Sequence, residues 1–267
     1  MDEKEIKLQI KNTFDQASSG YDLPEIRFFD ISAKHLVDLL RLKGRERILD
    51  VCTGTGHVAY HARDKLKNGS ITGIDISDRM IMIAENKKAY GNGKIKFICC
   101  DFDDFQSKNS FDFVTCGFGI FFFPDMEKAL RKMKSLTGRD GKIVLSSFAS
   151  PFMEPQRSMF LNRLQQYNAQ AGQSFWMAIN TEEKFRALLE SAGFRHIEIR
   201  KRDCGYFLKD ASQWWNIIIN TNMRGNLNSL SGKELLKFKQ EHLEEVNNLN
   251  QGKGIRLEVP VLYAVAN

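Results

Sequence analysis

An α/β fold of the Rossmann-like kind is predicted, with seven mostly parallel strands, helices on both faces and helical lid additions. Three features predict it. Short apolar runs alternate with amphipathic stretches of helical length from Arg47 onward, the pattern of a parallel sheet covered on both sides. The first run closes on a glycine-rich turn, CTGTG. Carboxylates stand at the ends of the first three runs: Asp50, Asp75 and Asp101.

The elements follow in order. Residues 3–13 and 24–42 have helical periodicity, with Phe28, Phe29, Leu36, Leu39 and Leu40 on one face of the second. A turn at Lys43-Gly44 ends this lead-in. ILDV is a buried strand, HVAYHARDKL a helix and SITGID the second strand. Ser77 caps the helix DRMIMIAENKKAY by accepting a backbone N–H. KIKFICC and FDFVTC are strands three and four, followed by the helix DMEKALRKMKSL. Residues 138–141 make a turn into the fifth strand, KIVLSSF. A helical insertion over about 150–180 ends in Phe175-Trp176, and Thr181 caps EEKFRALLESAG. HIEIRKRDCGYFL reads as the sixth strand, then a second helical stretch covers about 210–250. IRLEVPVLYAVA is the last strand. Pro260 lacks a backbone donor, which puts this strand at an edge or starts it after the proline.

The 267 residues suffice for one large core with a modest lid, so the whole chain, 1–267, is expected to be a single domain. With 42% hydrophobic and 27% charged residues it has the composition of a soluble globular protein. No apolar stretch reaches the roughly 18 residues of a membrane span, and the charged start MDEKEIKLQIKN is no signal peptide, so a cytoplasmic location is expected. The net charge of +6 is spread along the chain and interleaved with acids, which argues against a nucleic-acid partner. Five cysteines without C-x-x-C spacing predict reduced thiols, and no metal site is expected. His57 and His61 lie a helical turn apart, but HVAYH lacks the glutamate of the H-E-x-x-H motif.

The chemistry sits at the strand ends. Gly54 and Gly56 permit a tight turn and close approach of a ligand to the backbone, with Thr53 and Thr55 between and beside them. A dinucleotide fingerprint would add a third glycine, where this chain has His57-Val-Ala59. Asp50 would repel a pyrophosphate, and suits a cationic ammonium or the ordering of the turn. Asp75, 19 positions after Gly56, can accept both hydroxyls of a ribose. Asp101 can accept from an adenine amine while Phe102 packs beside the ring. An amine, a ribose and an adenine together describe S-adenosylmethionine.

The segments Phe14-x6-Tyr21-Asp22, ILDVCTGTG, GIDIS, CCDFDDF and FDFVTCGFGIFFFPDMEKALRKMKSL cover most of residues 10–150. Through them the chain resembles the class I methyltransferases, and locally the ubiquinone/menaquinone C-methyltransferase group. The resemblance implies cofactor contacts from Thr55, Asp75, Asp101, Phe102 and Gly117, with Asp50, Gly54 and Gly56 in the glycine-rich motif. Thr53, Ile76, Met80 and Cys116 flank these positions and join the expected cofactor set. Cys52 stands where many members have glycine. On this basis residues 1–42 are a helical lid, 43–148 the cofactor-binding core, and 149–267 the rest of the sheet with its insertions. The 210–250 insertion and the apolar FGIFFF depart from the quinone group.

The acceptor is expected to be a small apolar or aromatic molecule, because Tyr21, Phe118, Phe152 and Trp176 fall near or within the lid segments. No catalytic residue is assigned, since a sulfonium is already an activated leaving group. Two further classes stay open at this level: an NAD(P)-type oxidoreductase, and a non-catalytic or RNA-associated S-adenosylmethionine-binding protein. The oligomeric state is not legible.

Overall fold

The computed structural model describes residues 2–87, 95–169, 172 and 174–267. The expected end of the helix after Ser77 and the start of the third strand at Lys94 lie outside them. The strands are β1 (Arg47–Val51), β2 (Ser70–Asp75), β3 (Ile95–Cys99), β4 (Phe111–Gly117), β5 (Thr137–Phe148), β6 (Ile197–Asp203), β7 (Tyr206–Leu208), β8 (Ile255–Leu257) and β9 (Pro260–Ala266). Seven of them form one sheet in the order β3-β2-β1-β4-β5-β9-β6. Neighbours from β3 to β5 pair in parallel, and β9 is antiparallel to both β5 and β6. The expected seven-stranded, mostly parallel sheet is present.

Three boundaries differ from the sequence-based expectation, each for a tertiary reason. The sixth apolar run breaks at Cys204-Gly205, and β7 leaves the sheet to pair with β8 as a separate ribbon. One Asp203 carboxylate oxygen accepts the amides of Gly205 and Val259, each at 2.9 Å, and so turns both chains out of the sheet together. The last run splits likewise into β8 and β9. β9 is an interior strand, and Pro260 is its first residue, where the missing donor interrupts no interior ladder. Residues 138–141 bulge within β5 rather than preceding it, since pairing steps from Phe111↔Thr137 to Phe113↔Lys142.

Helices α1 (Glu3–Ala17), α2 (Phe28–Leu40), α3 (His57–Arg63), α4 (Asp78–Lys87), α5 (Met126–Leu136), α6 (Gln156–Gln166), α7 (Glu182–Ser191), α8 (Ala211–Ile219) and α9 (Gly232–Asn247) flank and extend the sheet. The expected caps are present: Ser77 Oγ accepts the Met80 amide at 3.1 Å and Thr181 Oγ1 that of Lys184 at 3.3 Å. α2 buries Phe28, Leu36, Val37 and Leu40, and packs on α3, β4 and β5. The segment before α2 is tied to the C-terminal half: the Tyr206 hydroxyl donates to the Glu25 carbonyl at 2.6 Å, and the Asn216 amide to the Glu25 carboxylate.

Of the C-terminal additions, α6 and α8 both pack on α9 around Phe160, Trp214, Phe238 and His242, all fully buried. Trp214 Nε1 donates to His242 Nε2 at 2.8 Å, so that ring nitrogen carries no proton. Burial holds the imidazole pKa down at about 4, below the ordinary 6.5. A depressed histidine contributes stability above the unfolded value and loses it as pH falls from 6.5 towards 4. The urea midpoint is therefore expected to drop over that window, by on the order of 3 kcal/mol in unfolding free energy. His242→Gln, whose amide oxygen still accepts from Trp214 and does not titrate, should flatten the slope. An unchanged slope would place the acid loss elsewhere.

Candidate active site

Strand order reverses between β1 and β4, with β2 and β3 on one side and β5 beyond β4. In open α/β sheets the crevice at such a switch point, beyond the carboxyl ends of the strands, takes the ligand. The turn at residues 52–56 leaves β1 here. Its backbone is left-handed at Cys52 (φ 56°), Gly54 (φ 55°) and Gly56 (φ 89°), so a β-carbon is tolerated only at strain at the first. The two glycines serve different ends. A β-carbon on Gly54 would meet nothing nearer than Tyr21 at 4.0 Å, which leaves its face open; on Gly56 it would crowd Phe97 and Tyr60 at 3.0 Å. Gly56 thus permits helix-to-strand packing.

The three aspartates are held differently. Asp50 is buried and accepts from Thr53 Oγ1 at 2.6 Å and Thr115 Oγ1 at 2.7 Å. Burial outweighs these bonds and pushes its pKa up to about 6. Asp75 takes the Gly54 amide at 2.8 Å and the Ser77 amide at 2.9 Å, which pins the turn to the end of β2. Burial raises its carboxyl above the ordinary value despite these amides. Asp101 forms an ion pair with Lys7 of α1 at 2.8 Å, and Lys7 also reaches Asp103 at 2.6 Å.

A second network ties the Tyr21-Asp22 segment to the turn. Asp22 accepts from Thr55 Oγ1 at 2.7 Å and pairs with His57 at 2.9 Å and Lys87 at 2.6 Å. Burial alone would raise the Asp22 carboxyl, but bonds from His57, Lys87 and Thr55 hold it below the usual carboxylate range. His57 and His61 also share Asp30, at 3.3 and 2.8 Å. Both histidines therefore serve to join α3 to the lid segment.

Two recesses flank Cys52. One is lined by Asp50, Thr53, Gly54, Thr55 and Gly117, with Tyr21, Phe29, Phe118 and Ser146 opposite. The other is lined by Asp75, Ile76, Asp101 and Phe102, with Lys7, Ile10, Phe122 and Phe123 closing it. Of the expected cofactor residues, Gly56, Met80 and Cys116 line neither recess. Met80 and Cys116 are buried beneath the site. Cys52, absent from the expected cofactor set, lines both.

Beside the recesses lies a cavity of about 630 Å³, roofed by α1 and the C-terminal additions. Tyr21, Phe118, Phe152 and Trp176 all line it, so the structure brings the four expected acceptor residues together. Phe118 has left-handed backbone (φ 53°), and its ring stacks on Phe148 with centroids 4.3 Å apart. Sequence reasoning missed Lys7, Ile10, Phe29, Phe148 and Arg157. Lys7, Ile10, Phe29 and Arg157 are brought in by helix docking and Phe148 by the end of β5; Phe14 of the Phe14-x6-Tyr21-Asp22 motif also lines the cavity.

The family model described as "Methyltransferase domain" matches residues 42–193, more than half of the chain. The chain is 29% identical over 217 residues to a demethylmenaquinone methyltransferase of Staphylococcus haemolyticus, covering 73% of this chain and 89% of that protein. It is 30% identical over 165 residues to the aklanonic acid methyltransferase DauC of a Streptomyces species, covering 58% and 74%. Among solved structures, the YcgJ protein of Bacillus subtilis superposes with a TM-score of 0.57 at 18% identity over 88% of this chain and 97% of that one. A methyltransferase of Geobacter sulfurreducens in complex with S-adenosylhomocysteine also gives 0.57, at 17% identity over 96% and 98%. The glycine turn, the three strand-end aspartates, the strand order and these similarities agree: the chain belongs to the methyltransferase-domain family, with the fold of the class I S-adenosylmethionine-dependent methyltransferases.

Proposed function

We propose that this enzyme transfers a methyl group from S-adenosylmethionine to a small aromatic acceptor held in the large cavity. The observation that carries this is a shared wall: Tyr21, Phe29 and Phe118 line both the Asp50 recess and the cavity. A donor in the recess and an acceptor in the cavity would thus meet across three rings. The residues fit the cofactor. Gly54 presents an open face, Asp75 offers a carboxylate in an enclosed recess for a ribose, and Ile76 and Phe102 supply apolar surface for a flat base. Asp50, Thr53, Thr55 and Gly117 surround the place for the methionine end. Asp101 would serve the adenine amine, in competition with Lys7. When bound, S-adenosylmethionine supplies a sulfonium methyl ready for in-line displacement.

The protein's part is then alignment and exclusion of water, and alignment can contribute up to about 7–11 kcal/mol. Among the described cavity-lining residues the acids and phenols are Glu5 and Tyr21. The Glu5 carboxylate is engaged at 3.0 Å by the Asp2 amide in the capping box of α1. Burial, then the charges of Asp75 and Asp22, push the Tyr21 hydroxyl far above its ordinary value, so it stays protonated and does not serve as a phenolate base. No lining group among these is suited to act as a base, which favours an acceptor that ionises by itself.

Calorimetry with S-adenosylhomocysteine and NADPH, followed by transfer of radiolabelled methyl to a panel of phenols, quinols, amines and acids, tests this. Binding of S-adenosylhomocysteine alone and label in an aromatic product are expected. NADPH binding without S-adenosylhomocysteine binding would overturn it.

A further inference from the structure

The large cavity is not uniformly apolar. From Phe118 a wall of rings runs outward through Phe148 and Phe152 to Trp176, with successive centroids 4.3, 4.2 and 5.3 Å apart. It ends on Arg157, whose guanidinium carbon lies 5.5 Å from the Trp176 ring centre. Arg157 is a lining residue at the start of α6, with its side chain 18% exposed. A guanidinium keeps its charge at any working pH, and in an aromatic surrounding it requires an anion.

That need is poorly met within the protein. The side chain's hydrogen bond among the described residues is Nη2 to Ser174 Oγ at 3.2 Å, and its ion pair with Glu154 is a long one, 3.8 Å from Nη1. Contrast Arg163, a few residues on, which is bound by Glu241 at 3.1 Å and Glu245 at 2.8 Å. A second cation, Arg224, lines the same cavity without an ion pair to any described residue. Among the described lining residues the acid is Glu5, already committed to the cap of α1. The lining therefore carries two cations, of which Arg157 marks the Trp176 end and has donors unspent on described residues.

We propose that Arg157, supported by Arg224, anchors an anionic group on the end of the acceptor remote from the methylated atom, so that the acceptor is an aromatic acid. This rests on the methyltransferase reading above. A flat ring system would lie along the Phe148–Trp176 wall, with its nucleophilic atom at Tyr21 and Phe118 and its carboxylate, or an equally acidic group, on Arg157. The anchor fixes which end of a symmetric ring faces the donor, which an apolar wall alone cannot do. It is a positioning and specificity element, remote from the transferred methyl.

The test uses the full-length protein saturated with S-adenosylhomocysteine. Calorimetry would compare 6-hydroxy-2-naphthoic acid, whose hydroxyl and carboxyl sit at opposite ends of the rings, with its methyl ester, which has the same rings without the charge. Charge-assisted bonds of about 1.5–3 kcal/mol predict roughly 10–100-fold tighter binding of the acid. Arg157→Gln should remove most of that preference and leave the ester and S-adenosylhomocysteine affinities unchanged, while Arg157→Lys should restore part of it. Arg224→Gln, on an exposed turn, should lower the preference less and needs no refolded core. Equal affinity for acid and ester, binding of neither, or a preference untouched in both glutamine variants would overturn the anchor. Failure of the parent protein to bind S-adenosylhomocysteine would instead remove the methyltransferase site itself.

Discussion

Replacing Asp75 with alanine is expected to weaken S-adenosylhomocysteine binding by about 100-fold or more, with the protein still folded. Two ribose hydroxyls would each lose a charged acceptor, and such bonds contribute roughly 1.5–3 kcal/mol apiece. The substitution also frees the Gly54 and Ser77 amides, so the turn that shapes the site loses its tie to β2. Asp75→Asn keeps the size and one acceptor, but its amide nitrogen must face the Gly54 or the Ser77 N–H, so it should fall between, at about a tenfold loss or somewhat more. Because burial raises this carboxyl, binding should also begin to weaken on acidification above the ordinary aspartate range. Calorimetry on folded variants decides the matter: parental affinity in Asp75→Ala would sink the ribose assignment.

Asp50→Asn is expected to separate stability from binding. The folded carboxyl has a pKa of about 6 against an ordinary 3.8, so the native state holds its proton more tightly than the unfolded chain. The stability that comes with this is full below 3.8 and is lost as pH rises through 6. Above that the buried ion costs on the order of 3 kcal/mol. The asparagine oxygen can still accept from one of Thr53 and Thr115, and its amide can donate to the other hydroxyl. The variant should therefore melt several degrees higher at pH 7.5, about 2–4 °C for each kcal/mol. Near pH 4 the gain should vanish. Affinity for the cofactor should fall about tenfold or more, because the amide no longer offers a negative charge to the methionine ammonium. A variant that melts higher and binds as before would limit Asp50 to ordering the turn.

The strands around the switch point were legible because each is a local pattern: ILDV, SITGID and FDFVTC are apolar runs closed by a polar residue or glycine. The cap at Ser77 was legible for the same reason, since donor and acceptor lie three residues apart. Where the sequence-based expectation failed, a distant partner decided. Cys204-Gly205 looks continuous with the sixth strand until Asp203 also takes the Val259 amide, 56 positions on. Pro260 reads as marking an edge strand or a strand that begins after it, until β5 and β6 close on both sides of β9 and leave the proline as its first residue. Gly54 and Gly56 look equivalent in the motif, but only one faces open space.

By itself, the sequence determined the parallel strands, the glycine turn and the aspartates at the strand ends. These depend on periodicity and on residues that act within a few positions of one another. Tertiary structure alone decided which motif residues face the recesses, that Lys7 reaches Asp101 from α1, and that Arg157 ends the aromatic wall that starts at Phe118. Those relations join elements far apart in the chain, and no local pattern encodes the docking of one helix on another. The recesses at the strand ends were thus written in short-range signals, while the large cavity came into being only when the additions packed over the sheet.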